Sequence, residues 1–504
     1  MLLIRPDRDD LRIIGYYIGK ILTGVGLLQI PPALLALARS EWNSLAAFVF
    51  GTSLAIIVGQ SAELRLHTRR PLEWSHGMVT AALSWLLAAI MAAVPLYLSG
   101  HFSSFLDALF DSMSGLTTSG LSVLQDLDHL TWSMNLYRHI LHFAGGQGII
   151  IVVLTLFAAS GSAQLGTLYA GEGRDERIMP NIIRTARFIY TVAAVYLVLG
   201  TSALAVAMMV AGLPPGSALF EAVNIFMAAF DTGGFAPHST SIAYYHSASV
   251  EGVITILMFA GTLSFGLHHE LWRGDRRELF RNLETRTLTF TLVALTALGI
   301  VGLGRAGTFT EPLSLFRKGF FTIISAHTGT GFAVNNSVLY ATDWGQLAPA
   351  AVVGAMALGG MASSTAGGFK AIRVGLSMKG LVRDIRKVLL PENALVVSTY
   401  HQRTRQILRD DTVRSATTIV LLFLLTYLGG AMVGLMTTDA AFTEALFESV
   451  SATANVGLSV GITSPDMPVL LELTYIAQMW AGRLEFMAIF AMVGYGLALM
   501  RGRT

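Results

Sequence analysis

Four short polar segments of this chain end in the same way, in a glycine that is followed by an apolar residue. Thirteen residues before that glycine, three copies carry an acid followed by alanine, at Asp107, Glu221 and Glu444, whereas the remaining copy has Lys318 there. Four such segments around one axis would offer backbone carbonyls as oxygen ligands, which is how a monovalent cation is stripped of its water. The candidate ligand residues are Thr117, Thr118, Ser119, Gly120, Thr232, Gly233, Gly234, Thr328, Gly329, Thr330, Gly331, Asn455, Val456 and Gly457.

Glycine suits such a turn because it accepts backbone angles that other residues adopt only at a cost. The neighbouring hydroxyls either add oxygen ligands or hold the turn, and both possibilities stay open. A glycine in a membrane helix also serves close packing, so for one copy alone the packing interpretation is equally good. Four copies with matched spacing favour a cation filter.

A second glycine follows each segment, at Gly146, Gly261, Gly360 and Gly482. It either widens a cavity below the filter or packs helices. In the third copy the run 359–370 is rich in small and polar residues, which form helices poorly. We predict that it breaks its helix and acts as a gate loop, because irregular backbone at membrane depth requires a cavity or surrounding protein. The candidate gate residues are Gly359, Gly360, Ser363, Ser364, Thr365, Gly367, Gly368, Lys370 and, from the last span, Arg483.

Arg483 stands inside a span, where a charge is costly unless it faces water or a partner. Two interpretations stay open: it repels cations in the cavity, or it pairs with Glu448 or a backbone carbonyl. Lys370 is interpreted as reaching towards the membrane surface. The run 359–370 lacks the Gly-Lys-Ser/Thr order of a phosphate-binding loop, so no nucleotide bound by this chain is predicted.

The elements that must position these residues are membrane spans. Of the 504 residues, 53% are hydrophobic and 13% are charged, whereas about a quarter are charged in soluble domains. Many apolar stretches reach the roughly 20 residues that a spanning helix needs. The chain has no cysteine and therefore no disulfide, and its net charge of +2 gives no sign of a nucleic-acid partner, so none is predicted. The fold class predicted is an all-α polytopic membrane protein.

We predict ten spans in this chain. They lie near 12–38, 43–65, 72–99, 136–160, 185–212, 248–271, 287–305, 346–378, 413–437 and 470–499. Each glycine segment falls between two of these spans and follows a short helix, near 107–117, 219–230, 314–326 or 443–453. Such helices are too short to cross the bilayer and are interpreted as re-entrant. The acids Asp107, Glu221 and Glu444 are expected near the starts of their helices, where a negative charge suits the positive end of the helix dipole. The repeated unit is a span, a short helix, a glycine turn and a second span, used four times after two extra spans.

Lysine and arginine are absent from 71–137, 188–272, 319–369 and 415–482, the stretches that hold the glycine segments. The connections between units are rich in arginine. The positive-inside rule therefore places those connections and both termini in the cytoplasm, and the glycine turns enter from outside.

Several motifs together carry a family resemblance. They are Leu83-Ser84-Trp85 with Pro95, Thr117-Thr118-Ser119-Gly120, Gly145-Gly146-Gln147-Gly148-Ile149, Thr232-Gly233-Gly234-Phe235, the run from Ser363 to Lys370, and Gly482-Arg483-Leu484-Glu485. The chain resembles the Trk/Ktr/HKT superfamily of potassium transporters, and most of all its Trk-type membrane subunit. Two extra N-terminal spans favour the Trk type over the Ktr type.

The resemblance implies four membrane–pore–membrane repeats around one pore. The expected divisions are a two-helix preface at 1–70 and repeats at 71–170, 171–285, 286–390 (with gate loop 359–370) and 391–504. It also implies potassium as the transported ion, a homodimer in the cytoplasmic (inner) membrane, and a cytoplasmic ring of nucleotide-binding regulatory subunits. Serine in place of the first filter glycine marks sodium-selective plant members, so Gly120 implies potassium.

Other functions stay open beside potassium uptake. One is a sodium-permeable or non-selective cation pore, and another is a proton- or sodium-coupled symporter, which needs a titratable carboxylate deep in the membrane such as Glu485 or Asp231. No nucleophile–base set is recognised, so no enzyme is predicted. The connection 379–412 is either a docking surface for a regulatory subunit or a solvated loop. His139 and His142 are interpreted as helix-end residues.

Overall fold

The computed structural model of the chain describes residues 7–68, 70, 72–148, 182–307, 309, 311–335, 343–391 and 396–500. Within these ranges the regular structure is helical apart from one β-hairpin. The helices, in chain order, are α1 (Arg8–Leu28), α2 (Ile30–Arg39), α3 (Trp42–Arg65), α4 (Trp74–Leu98), α5 (Phe105–Leu116), α6 (Trp132–Gln147), α7 (Ile182–Val210), α8 (Pro215–Phe230), α9 (Ala248–Thr262), α10 (Phe265–Trp272), α11 (Glu278–Arg281), α12 (Leu283–Ala306), α13 (Pro312–His327), α14 (Leu347–Ala357), α15 (Ala371–Leu389), α16 (Asp410–Thr437), α17 (Phe442–Thr453), α18 (Val469–Arg483) and α19 (Met487–Met500).

Six stretches of the described residues are long and apolar enough to cross a membrane: α1 with α2, α3, α4, α7, α12 and α16. Two further spans result if the bent pairs α9–α10 and α18–α19, which turn by 100° and 110°, each cross once. The predicted span 136–160 runs past the described residues, and the predicted span 346–378 is interrupted between α14 and α15. The count of ten spans therefore stays a prediction.

The four short helices lie where the sequence placed them, as α5, α8, α13 and α17. Asp107 and Glu444 stand at the third position of α5 and α17, where each carboxylate accepts a backbone N–H near the helix start. This agrees with the prediction of an acid at the positive end of the dipole. The prediction is wrong for Glu221. Because prolines start α8 earlier, at Pro215, Glu221 falls in the second turn and accepts a hydrogen bond of 2.8 Å from the Tyr245 hydroxyl.

Surrounding protein covers the short helices. Phe110 of α5, Phe226 of α8 and Phe447 of α17 expose at most 1% of their surface. Helix α5 packs between α4 and α6, α8 between α7 and α9, and α17 between α16 and α18. A helix that ends at membrane depth needs this cover because lipid cannot hydrogen-bond the backbone groups that follow it.

The described part of the connection 379–412 forms regular structure that contacts the rest of the protein, while most of its residues are exposed. Strands β1 (Thr399–Gln402) and β2 (Thr404–Ile407) form an antiparallel hairpin with Thr399 opposite Ile407. His401 lies 2.8 Å from Glu278, and the guanidinium of Arg403 lies 3.1 Å from Glu270. These contacts fix the hairpin against helices α10 and α11.

Candidate functional site

Each short helix ends in the same backbone motif. The second residue before the last glycine has a left-handed backbone, with φ of 55° at Thr118, 50° at Thr232, 75° at Gly329 and 55° at Asn455. The next residue donates its N–H back to the carbonyl five residues earlier, over 2.8 to 3.0 Å in the four copies. This is a Schellman motif, which satisfies the last amides within the helix end. The carbonyls of the same turn are thereby left to face another direction.

The terminal glycines form a closed ring in which each meets the next copy. A Cβ atom built on Gly120 would lie under 3.0 Å from the carbonyl oxygen of Gly233, and one on Gly234 equally close to that of Thr330. The same holds for a Cβ on Gly331 against the carbonyl oxygen of Val456, and a Cβ on Gly457 would lie 2.6 Å from the carbonyl oxygen of Ser119, which closes the ring. All four glycines have φ between 78° and 99°. Only glycine allows this approach, because any side chain would displace a carbonyl oxygen.

Most hydroxyls of the segments hold the turn. Thr117 Oγ1 donates to the Met113 carbonyl at 2.7 Å and lies 2.8 Å from the hydroxyl of Ser119. Thr328 repeats the pattern with the Ile324 carbonyl and Thr330. Of the two possibilities raised by the sequence, holding the turn therefore describes these residues.

A cavity of about 340 Å³ opens on one side of the ring, and all four terminal glycines line it. Its wall includes His238, which lies 2.7 Å from Asp128 and 3.3 Å from Glu221. Burial lowers the pKa of His238, but hydrogen bonds and charge attraction from these two carboxylates outweigh burial, so its pKa lies above the ordinary 6.5. His238 therefore joins the loop after α5, through Asp128, to helix α8, through Glu221.

On the opposite side of the ring, the predicted gate run leaves helical structure as expected. Helix α14 ends at Ala357 and α15 begins at Ala371. Between them the chain forms a narrow-necked loop, closed by the Phe369 N–H donating to the Ala357 carbonyl at 3.0 Å. Gly359 and Gly367 meet at the neck, where a Cβ on Gly359 would strike the Gly367 carbonyl. We call residues 359–370 the gate loop.

The gate loop contacts the glycine segments through Thr365. Its hydroxyl lies 2.9 Å from the Gly261 carbonyl, 3.1 Å from the Phe230 carbonyl and 3.2 Å from the Thr232 hydroxyl. A Cβ on Gly367 would meet the Ala454 carbonyl at under 3.0 Å. The loop thus fills the space below the second and fourth segments.

Arg483 lies between the first glycine segment and the gate loop. Its guanidinium donates to the Thr118 hydroxyl at 3.0 Å and to the Thr365 carbonyl at 2.6 Å. It also donates to the Gly145 carbonyl at 2.7 Å. Pairing with backbone carbonyls was one of the open interpretations and is what the structure shows; pairing with Glu448 is wrong, because Glu448 instead bonds the residues after its own glycine segment. Arg483 and the gate loop line one small shared cavity with Glu485.

Two further interpretations need correction, and for Gly261 one of the two open alternatives is what the structure shows. Lys370 is buried and donates to the Ala366 carbonyl of its own loop, so it does not reach the membrane surface. His139 and His142 are fully buried within α6 rather than at its end. Gly261 packs against the last carbonyl of its short helix, Phe230, which is the packing alternative. Gly145 and Gly482 do the same against Leu116 and Thr453.

The two carboxylates that a symporter could use both have partners. Glu485 forms an ion pair with Arg373 at the start of α15. Asp231 accepts a hydrogen bond of 2.7 Å from the Gln147 side chain. Both contacts join parts of the chain far apart in sequence, so periodicity gave no signal for them.

Sequence reasoning also missed Glu284, which is 1% exposed at the start of α12. One of its oxygens accepts the Ala362 N–H of the gate loop at 2.7 Å, and the other accepts from the Gln402 side chain of the hairpin at 3.3 Å. The only sequence signal is an acid beside Asn282, which predicts a helix start. Its reach to two distant segments is a tertiary property.

Comparison with known proteins finds relatives that match nearly the whole chain. The family model for TrkH, described as a cation transport protein, matches residues 44–493. The Trk system potassium uptake protein TrkH of Halomonas elongata is 30% identical over 494 residues, which cover 95% of this chain and 98% of that protein. An uncharacterised cation transporter of Methanocaldococcus jannaschii is 28% identical over 490 residues, covering 97% and 96%.

A solved structure has the same fold. The crystal structure of the potassium transporter TrkH from Vibrio parahaemolyticus superposes with a TM-score of 0.81, covering 95% of this chain and 98% of that one, at 23% identity. At that identity the likeness is one of fold.

Proposed function

Since the chain belongs to the TrkH family of cation transport proteins, we propose that it takes up potassium ions through the ring of glycine segments. One observation carries the proposal: each terminal glycine abuts a carbonyl oxygen of the next segment, around a closed circle of four. A dehydrated cation on the axis of that circle would be bound by main-chain oxygens, which carry no net charge that would trap it.

The ion path has three parts in this proposal. Potassium enters the cavity of about 340 Å³, loses its water at the ring, and meets the gate loop with Arg483 beneath it. Uptake is downhill, because the membrane potential supplies about 2.3 kcal/mol per charge for each 100 mV. Withdrawal of the gate loop and Arg483 opens the path.

The architecture we propose is four membrane–pore–membrane repeats in ten spans, at 71–170, 171–285, 286–390 and 391–504 after a preface at 1–70. Each of the four short helices with its glycine segment supports this division. The charge distribution supports cytoplasmic termini and an inner-membrane location. A homodimer with a cytoplasmic nucleotide-binding ring, and no nucleotide on this chain, completes the proposal on family grounds.

The test is the substitution Gly120→Ser, measured as potassium and sodium flux into proteoliposomes. A side chain at Gly120 would displace the Gly233 carbonyl, so we expect the potassium-to-sodium flux ratio to fall. Gly100→Ser is the matched control, since Gly100 has φ of 79° against 80° at Gly120 but no described atom within 4 Å of an added Cβ. The control should keep the wild-type ratio.

An unchanged ratio in Gly120→Ser would contradict the filter assignment. Equal sodium and potassium flux through the wild type would favour the alternative, a sodium-permeable or non-selective pore. The ion pair of Glu485 with Arg373 weighs against a symporter that uses this carboxylate.

A further inference from the structure

Two of the four glycine segments have a buried acid behind them at the same register. Asp111 and Glu448 lie nine residues before Gly120 and Gly457, and neither is exposed. Each accepts a hydrogen bond from the serine two residues after its glycine, Ser122 or Ser459. We call each such pair an acid–serine clasp.

The other two segments lack both members of the clasp. Ile225 and Ala236 occupy these places in the second copy, and Thr322 and Ala333 occupy them in the third. Acid and serine therefore occur together or not at all within this chain. The paired occurrence favours a joint role over two unrelated polar residues.

The clasp of the fourth segment binds several residues of the loop that follows Gly457. One Glu448 oxygen accepts from Ser459 and from the N–H groups of Val460 and Ile462 at 2.9 and 3.2 Å. Its other oxygen accepts from the Thr463 hydroxyl at 3.0 Å. All these donors are neutral, and no basic side chain of the described residues forms an ion pair with Glu448.

The clasp of the first segment is also bound by an arginine, Arg138. Arg138 is fully buried, and its Nε lies 2.8 Å from Asp111 while a terminal nitrogen lies 3.0 Å from Ser122. The guanidinium also lies 4.0 Å from the ring centre of Phe235, which follows the second glycine segment. The two clasped segments adjoin, since Asn455 donates to the Ser119 hydroxyl at 2.7 Å.

We propose that the acid–serine clasps are positioning groups that fix the outer ends of the first and fourth segments and so set the preference for potassium over sodium. The inference rests on the proposed function. The ring oxygens nearest these loops, such as that of Ser119, can hold a fixed spacing only while the loops leave the ring at a fixed position. A loosened loop lets the oxygens close around the smaller sodium ion.

The test uses proteoliposomes containing the full chain, with the potassium-to-sodium flux ratio, the maximal potassium flux and the amount of folded protein as readouts. Ser459→Ala removes one hydroxyl, and Glu448→Ala removes the acceptor of four donors. Ser459→Ala loses one hydrogen bond to the buried carboxyl group and Glu448→Ala loses four, so we expect about a tenfold fall in the ratio for Ser459→Ala and a larger fall for Glu448→Ala. Ser464→Ala, in the same outer loop and with no acid contact among the residues that the structure describes, is the matched control and should keep the ratio.

Glu448→Gln separates this role from a requirement for charge. The amide oxygen can accept the three donors now on one carboxylate oxygen, while the amide NH₂ donates to the Thr463 hydroxyl. We therefore expect Glu448→Gln to keep the wild-type ratio. Asp111→Asn should behave differently and lower the folded yield, because it leaves the buried Arg138 without its counter-charge.

Folded Ser459→Ala with the wild-type ratio overturns the inference, whatever Glu448→Ala does. A fall in maximal flux with the ratio unchanged also overturns it, because that result shows a structural role alone. If wild-type vesicles take up no potassium, the proposed function fails, and the inference fails with it. If the wild type is selective and the variants are too, only the inference fails.

Discussion

Helix α9 contains two glycines, Gly252 and Gly261, at which substitution by alanine should change the stability of the protein in opposite directions. A Cβ on Gly261 would lie under 3.0 Å from the carbonyl oxygen of Phe230 and 3.2 Å from the Thr365 hydroxyl. A Cβ on Gly252 would have no atom of the described part of the chain within 4 Å. Gly261→Ala therefore forces backbone atoms apart at the end of α8, whereas Gly252→Ala only adds a methyl group to an exposed surface.

The size of the effect is best given as the difference in the free energy of unfolding between the two variants, because the contribution of helix propensity is the same in both and cancels. Replacing glycine by alanine in a helix stabilises it by about 1 kcal/mol at either position. Gly261→Ala also incurs an overpacking cost of about 1–3 kcal/mol, because the clashing atom is backbone rather than a flexible side chain. The free energy of unfolding should thus be lower in Gly261→Ala than in Gly252→Ala by about 1–3 kcal/mol.

The assay is thermal melting of the purified protein in detergent, together with potassium flux in vesicles. Gly252→Ala should melt at or above the wild-type temperature and transport normally. Gly261→Ala should melt lower, and its flux should change because the displaced Phe230 carbonyl and Thr365 join the second glycine segment to the gate loop. Equal melting temperatures for the two variants would refute the packing argument.

Two other predictions concern the surroundings of the ring. Glu284→Ala leaves the Ala362 N–H of the gate loop without its acceptor, a loss of about 1–3 kcal/mol, so the potassium flux through the purified chain alone should rise. Gln402→Ala removes only the hairpin contact of Glu284 and should raise the flux less. Equal flux in the wild type and both variants would contradict the idea that Glu284 holds the gate loop in place. His238→Gln tests the raised pKa, since a group with a raised folded-state pKa stabilises the fold below its unfolded value and loses that contribution as pH rises through the folded value. The wild type should therefore melt above His238→Gln at about pH 6, with the margin shrinking towards about pH 9, and a margin that grows with pH would contradict the argument.

Much of the site was predictable because it depends on local backbone chemistry. The left-handed turns at Gly120, Gly234, Gly331 and Gly457 require glycine, so their spacing is visible in the sequence. The helix break at the gate loop is visible for a similar reason, because a run of small residues cannot sustain a helix. The acids Asp107 and Glu444 indicated the starts of α5 and α17. Glu221 gave the wrong start for α8, because that helix begins earlier, at Pro215.

The sequence by itself determined that this is a helical membrane protein with four matched glycine segments and one interrupted helix, because length, apolarity and turn chemistry act between neighbours in the chain. Only the tertiary structure decided that Arg483 binds carbonyls, that Glu448 holds a loop, and that Glu284 joins the gate loop to a hairpin. The partners of Arg483 and Glu284 lie far apart in sequence, whereas those of Glu448 lie 11 to 15 residues away, beyond the glycine turn. A buried charge binds whichever donors or acceptors the packed helices bring within about 3 Å, and no local pattern records that choice.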